Sequence, residues 1–285
     1  MTSAQLEAQK RQRSSALKRV AGQSYLWSLL IVLYAPIILI IIFSFTKSKV
    51  FGNWTGFTIQ LYENLFTGYD ATTQVRVDPN LYRAVFFTIV IALIAAACST
   101  LLGTLAAIGI YNMKQKARRS IQFLNSIPMI NPDILTGISL FLLFVFFGIS
   151  RGITTVCIAH VVFCTPYVVL SVMPRLTKMN PNIYEAALDL GATPMQALRK
   201  VLLPELRPGM ISGFILALTL SIDDFGVTFF TKGSGGLETL STFIYADARK
   251  GGLTPELRPL FSLIFVVTLV LLIIINIRAA KQSKQ

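Results

Sequence analysis

Three aspartates stand in stretches that are otherwise apolar. Asp133 lies in "NPDILTG", and Asp223 and Asp224 lie in "LSIDDFGV". A carboxylate at membrane depth is costly and usually marks a path or a site. No lysine or arginine shares these stretches, so a cationic solute is a natural counter-charge. Flexible ammonium chains also bind aromatic faces. Tyr167, Phe225, Phe229 and Phe230 are the aromatic candidates within apolar runs. A structural reading stands beside this one. Asp133 follows Asn131-Pro132 and would stabilise the N-terminus of a restarted half-helix through the helix dipole. Asp223 and Asp224 would then sit in a watery vestibule or pair with loop arginines such as Arg249.

The elements that hold these groups are apolar helices. Of the 285 residues, 54% are hydrophobic and only 14% charged. The apolar runs reach roughly 17–25 residues, the length of a bilayer-spanning helix. The short alternating segments of a transmembrane β-barrel are absent. The expected fold is an all-α integral membrane protein with six spans: Tyr25–Phe45, Leu81–Ile110, Ile121–Ile149, Thr154–Met173, Gly209–Phe230 and Leu260–Ile277. Pro128 and Pro132 interrupt the third. Residues 1–24 form a basic tail or surface helix, 25–278 the six-span domain, and 279–285 a second tail. The first span is too long for a signal-peptide core, and no small-residue cleavage site follows it.

The charge of +13 follows the membrane, not a nucleic acid. With these spans, seventeen lysines and arginines fall on one side and nine on the other. The richer side includes both termini, the Lys114–Arg119 connection and the Arg175–Arg207 connection. The positive-inside rule makes that side cytoplasmic. Along straight helices at about 1.5 Å per residue, Asp133 would lie about 18 Å and the Asp223–Asp224 pair about 20 Å from the cytoplasmic side. Cys98, Cys157 and Cys164 have no metal-ligand spacing and read as small packed side chains. His160, the only histidine, reads as a hydrogen-bonded core residue.

One cytoplasmic segment, "MNPNIYEAALDLGATPMQALRKVLLPELRPG", carries its own start and stop signals. Asn180 can cap a helix with Pro181 at its first position. Ile183, Ala186, Ala187 and Leu190 form an apolar stripe at helical spacing. Gly191 follows at a helix C-terminus. Thr193-Pro194 repeats the start, and Met195, Leu198 and Leu202 form a second stripe. Pro204 ends or bends that helix, and Pro208 restarts the chain. Two short amphipathic helices result, about 180–204, each too short to be stable alone. They pack on the chain itself, lie in the lipid interface, or dock on a soluble partner.

The residues then go beyond periodicity. Glu185-Ala186-Ala187, Gly191, Val201 and Leu203-Pro204 resemble the EAA loop of binding-protein-dependent ABC importer permeases. Valine stands at Val201 where isoleucine is commoner. The stretches "NPDILTGISLFLLF", "LSIDDFGVTFFTKG" and "LTPELRPLFSLIFV" resemble the second of the two permeases in spermidine/putrescine importers. The resemblance runs from about Arg119 to the end of the sixth span. It implies a MetI-like type I permease fold and a bacterial plasma (inner) membrane location. It implies that Glu185, Ala186, Ala187, Gly191, Leu203 and Pro204 couple the chain to an ABC ATPase dimer. It also implies a second permease subunit and an external, periplasmic polyamine-binding protein, all within membrane lipids.

The chain has no G-x-x-x-x-G-K-[ST] loop, so ATP and Mg would be bound by the partner ATPase, and no cofactor is expected in this chain. Three other readings differ in what they require. A permease for an oxyanion would place arginines or helix N-termini in the path, and one for ferric iron or another cation would share the carboxylates. A proton-coupled secondary transporter would need no ATPase. A membrane enzyme would need a catalytic set, and neither a Ser–His–Asp group nor paired histidines is visible.

Overall fold

A computed structural model describes residues 3–48, 50, 52–70, 75–250 and 253–282. The chain divides into two compact units, residues 1–77 with 251–285, and residues 78–250.

In the first unit, α1 (Ser3–Phe43) is one helix through Pro36 and without a break at residue 24. Its apolar part, Gly22–Phe43, is long enough to span a bilayer. The following loop folds on itself. Thr46 and Phe57 form an antiparallel bridge. Phe45 stacks on Phe57 at 5.4 Å and tilts against Tyr62 at 5.1 Å. Tyr62 belongs to α2 (Gln60–Thr67), and a two-stranded ribbon pairs β1 (Tyr69–Asp70) with β2 (Val75–Arg76). The aromatics of this loop therefore pack within their own unit. α12 (Leu257–Gln282) packs against α1 and α2. Tyr62 Oη donates to Ser262 Oγ at 3.1 Å, and Arg258 Nη1 donates to the Ser48 carbonyl at 2.9 Å.

The second unit is built on α3 (Pro79–Tyr111), α6 (Ile153–Lys178) and α9 (Leu203–Asp223). Asp78 starts α3 by accepting the Asn80 N–H at 2.9 Å, with Pro79 at the first helical position. The three helices approach through small residues, which let backbones come close where lipid supplies no hydrophobic drive. On α9 the buried stripe is Leu206, Gly209, Gly213, Ala217 and Ser221. On α3 it includes Ala92, Ala96, Gly103 and Ala107. A β-carbon at Gly103 would meet the Val168 side chain at 2.7 Å, and one at Gly213 would meet it at 3.1 Å.

The expected spans need three corrections. First, the third is not a straight span. α4 (Gln115–Ile130) and α5 (Asp133–Phe146) meet at 103°. Asn131 and Pro132 are extended there, because a proline disfavours helix at the residue before it. The depth of Asp133 computed along a straight helix therefore fails. Second, the fifth span begins earlier. An unbroken helical run covers Pro194–Asp223 and stops before Phe230, with α10 (Gly226–Thr231) separate. Third, six straight spans are not reproduced. Among the described residues four helical runs are long and apolar enough: Gly22–Phe43, Pro79–Tyr111, Ile153–Lys178 and Pro194–Asp223. The bent pair makes a fifth if it counts as one span, and α12 carries the described apolar stretch Leu257–Val270.

Candidate functional site

The two aspartate stretches meet. α10 packs against α5, and glycines allow it. A β-carbon at Gly226 would lie 3.0 Å from the Ile134 nitrogen, so the chain just after Asp224 runs beside the start of α5. Asp133 stands in the first turn of α5, exposed. Its backbone carbonyl carbon would lie 3.1 Å from a β-carbon at Gly226, two residues after Asp224. Tyr167 on α6 is half-buried and edge-on to Phe163 at 5.7 Å.

Asp223 and Asp224 have opposite environments. Asp223 ends α9 and is exposed, with no hydrogen bond or ion pair among the described residues. Asp224 is 5% exposed. Its carboxylate accepts the backbone N–H groups of Val227 at 3.1 Å and Thr228 at 2.8 Å, and the Thr228 hydroxyl at 2.8 Å. It therefore caps α10, as an acidic residue at a helix N-terminus does. His160 supplies a further neighbour, Nε2 at 3.4 Å from Oδ2. The expected pairing with Arg249 is not found. That guanidinium lies over Tyr245, 5.9 Å from the ring centroid.

Phe225 follows the pair and joins an aromatic group. Its ring is 4.9 Å from Tyr245 and 5.3 Å from Phe229, and Phe229 is 5.7 Å from Tyr245. Phe230 stands edge-on to Phe229 at 5.4 Å. Tyr245 belongs to α11 (Leu240–Arg249), outside every apolar run, so no span pattern pointed to it. His160, Ser221 and Thr228 form the buried polar set behind the pair. An Asp four residues before a Thr at a helix start was the signal that could have found part of it.

The segment of residues 180–204 takes a different form from two separate helices. α7 (Ile183–Asp189) begins after Asn182, although Asn180 Oδ1 does accept the Asn182 N–H at 3.0 Å. At its end Gly191 has φ +85°, a left-handed conformation that suits glycine. The Gly191 N–H donates to Leu188 O and the Ala192 N–H to Ala187 O, the paired bonds of a Schellman terminus. Thr193 and Gln196 then form a capping box around α8 (Pro194–Ala197).

Pro204 does not end this helix. A π turn, Leu198–Leu202, carries it into α9, and the Leu203 N–H donates to Leu198 O five residues back. A proline clashes with the carbonyl four residues before it, here Lys200. The wider turn relieves that clash and keeps the run unbroken. Leu203 and Pro204 are half-buried.

The two stripes are unequally covered. The first ends on Leu190, 89% exposed, whereas the second runs from Met195, 54% exposed, through half-buried Leu198 to buried Leu202, with Ala197 and Leu206 buried beside it. Glu185 and Ala186 are exposed and Ala187 half-buried. An apolar groove of about 510 Å³ opens here, with Tyr111, Leu176, Met179, Tyr184, Glu185 and Met195 among its lining residues.

Comparison with known proteins covers most of the chain. Residues 99–282 match the family described as binding-protein-dependent transport system inner membrane component. The spermidine/putrescine transport system permease protein PotC of Haemophilus influenzae is 34% identical over 251 residues, 88% of this chain and 93% of that protein. The putrescine transport system permease protein PotI of Escherichia coli K12 is 36% identical over 239 residues, 81% of each chain. Among solved structures, a bacterial ABC transporter that imports the acidic polysaccharide alginate superposes with TM-score 0.66 at 16% identity, over 94% of this chain and 97% of that one. The inward-facing MetNI methionine transporter does so with TM-score 0.55 at 22% identity, over 70% and 94%. At these identities the structural likeness concerns the fold.

Proposed function

The chain belongs to the inner-membrane components of binding-protein-dependent transport systems, and from that premise we propose that it carries polyamines inward in an ATP-driven complex. It is a transport permease subunit of the ABC importer class, not an enzyme. The reading of a spermidine or putrescine cargo draws on the two relatives and on one observation. Asp133 and Asp223 are exposed like charges brought together where the backbone of Gly226 meets that of Asp133, with no ion-paired cation among the described residues. An ammonium chain would relieve that repulsion, and the Phe225–Phe229–Tyr245 rings offer it apolar and cation–π contact. Asp224, which caps α10, takes no direct part.

The work reaches this path from the other end of α9. The exposed side chains of Leu190 and Met195, with Glu185 lining the groove, are the docking surface for a separate ABC ATPase dimer that binds ATP and Mg. A second permease subunit and a periplasmic polyamine-binding protein complete the assembly, and both termini of this chain lie in the cytoplasm. Closure of the ATPases would shift the permease between inward-facing and outward-facing states.

Reconstitution with the other subunits in proteoliposomes tests the reading. Labelled putrescine or spermidine should accumulate only with ATP on the ATPase side and with the loaded binding protein outside. Accumulation driven by a proton gradient without ATP would replace it with secondary transport. Uptake of ferric iron or an oxyanion in place of polyamines would keep the class and change the cargo.

A further inference from the structure

The break between α9 and α10 is held by a buried hydrogen-bond chain that the transport reading has not used. His160 is fully buried on α6. Its Nδ1 lies 2.6 Å from Ser221 Oγ, in the last turn of α9. Its Nε2 lies 2.8 Å from Thr228 Oγ1, in α10. Thr228 Oγ1 in turn lies 2.8 Å from Asp224 Oδ2.

Proton counting orders the chain. A hydroxyl has one proton to donate, and an ionised carboxylate only accepts. Thr228 gives its proton to Asp224, so it must accept from His160 Nε2–H. Ser221 has its own proton free for His160 Nδ1, which makes a neutral imidazole consistent with every contact. The sequence Ser221, His160, Thr228, Asp224 is thus satisfied from end to end. It bridges the last turn of one helix and the first turn of the next. A second tie secures the break itself, because Ser241 Oγ of α11 donates to the Asp224 carbonyl at 2.6 Å.

An apolar side chain at residue 160 would fill the same space with no polar group to desolvate. It could not hold α9 and α10 in register. The bond chain draws Asp224 inward with extended backbone at ψ 131° and leaves Asp223, one residue earlier, exposed. We propose that His160 is a positioning residue, which fixes the break so that Asp223 is presented beside Asp133. This role in transport rests on the reading that Asp223 faces the solute path.

The test separates the two. Spin labels are placed at Asp133→Cys and Asp223→Cys in the full-length chain in lipid nanodiscs, with Cys98→Ser, Cys157→Ser and Cys164→Ser. With His160 intact, one narrow inter-label separation is expected. His160→Leu and the isosteric Thr228→Val should each replace it with a broad distribution. His160→Gln, which can keep one of the two ring bonds, should restore much of the narrow population. A control pair at Leu105→Cys and Leu170→Cys, on α3 and α6, should stay unchanged throughout. If His160→Leu fails to assemble, Thr228→Val decides alone. An unaltered narrow separation in the assembled variants overturns the positioning role, and so does equal broadening of the control pair. Uptake is read apart from this: normal polyamine transport by Asp223→Asn sinks the path reading and leaves the spin-label result standing.

Discussion

Gly137 on α5 faces the carbonyl oxygen of Gly226 at the start of α10, and a β-carbon at residue 137 would sit 2.7 Å from that oxygen. The backbones of the two short helices touch, and this contact brings Asp133 toward the Asp223–Asp224 pair. The oxygen is backbone and cannot swing away. Gly137→Ala should therefore cost about 1–3 kcal/mol of stability, the usual range for overpacking a tight core. Thermal unfolding of the detergent-purified chain would measure it. A wild-type midpoint would mean that α5 and α10 can separate freely.

Gly191 separates conformation from contact. Its φ is +85°, and nothing lies within 4 Å of the place where a β-carbon would go. Only the backbone conformation therefore resists substitution. Gly191→Ala should cost about 1–2 kcal/mol locally, while Gly191→Asn, which tolerates the left-handed region better, should cost less. Uptake and ATPase retention on co-purification should follow the order Gly, Asn, Ala, Val. Loss of activity in Asn equal to that in Val would point to a direct contact of the glycine with a partner.

Adjacent aspartates should respond differently to the same substitution. Asp223→Asn removes an exposed charge that holds no helix, so uptake should fall while stability stays near wild type. Asp224→Asn weakens a buried acceptor of three hydrogen bonds. It should destabilise the chain by about 1–3 kcal/mol, the range for a buried polar group left poorly satisfied. Comparing unfolding midpoints with uptake rates for the two variants checks the split.

Pro204 and the π turn form a fourth test. With Pro204→Ala the clash at Lys200 disappears, and the turn is free to relax to α-helix. Rewinding the wide turn as α-helix adds one residue's worth of rotation, so everything before it turns by about 100° around the axis. Membrane insertion and folding should survive, whereas uptake should drop because the Glu185 surface is turned away. Full uptake would argue that the register between α8 and α9 carries no coupling.

Orientation is checked by fusion reporters. A reporter active only in the cytoplasm should work when fused after Gln285 and fail when fused after Ser234, in the loop between α10 and α11. The reverse pattern would invert the positive-inside assignment.

Much of the architecture was legible in residue order. Apolar run length marks membrane helices because an unsatisfied backbone is intolerable in lipid, so α1, α3 and α6 lie close to where the pattern put them. Local capping chemistry was legible for the same reason. Gly191 ends its helix in the left-handed conformation and Thr193-Pro194 starts the next, as their types suggest, whereas the start expected at Asn180-Pro181 falls after Asn182. His160 also proved to be a satisfied core residue, since a polar side chain inside an apolar run has few other stable choices.

What escaped the sequence depends on neighbours distant in the chain. The 103° bend of α4 against α5 comes from Asn131-Pro132 together with the packing of α5 on α10, and a proline alone permits a kink without setting its angle. The passage through Pro204 uses a π turn, which keeps Leu202 and Leu206 in one buried run. The fates of Asp223 and Asp224 were indistinguishable by type and position. Tertiary structure decided them: the Val227 N–H and both Thr228 donors satisfy one carboxylate, with His160 behind Thr228, and burial of a charge is stable only where such partners converge.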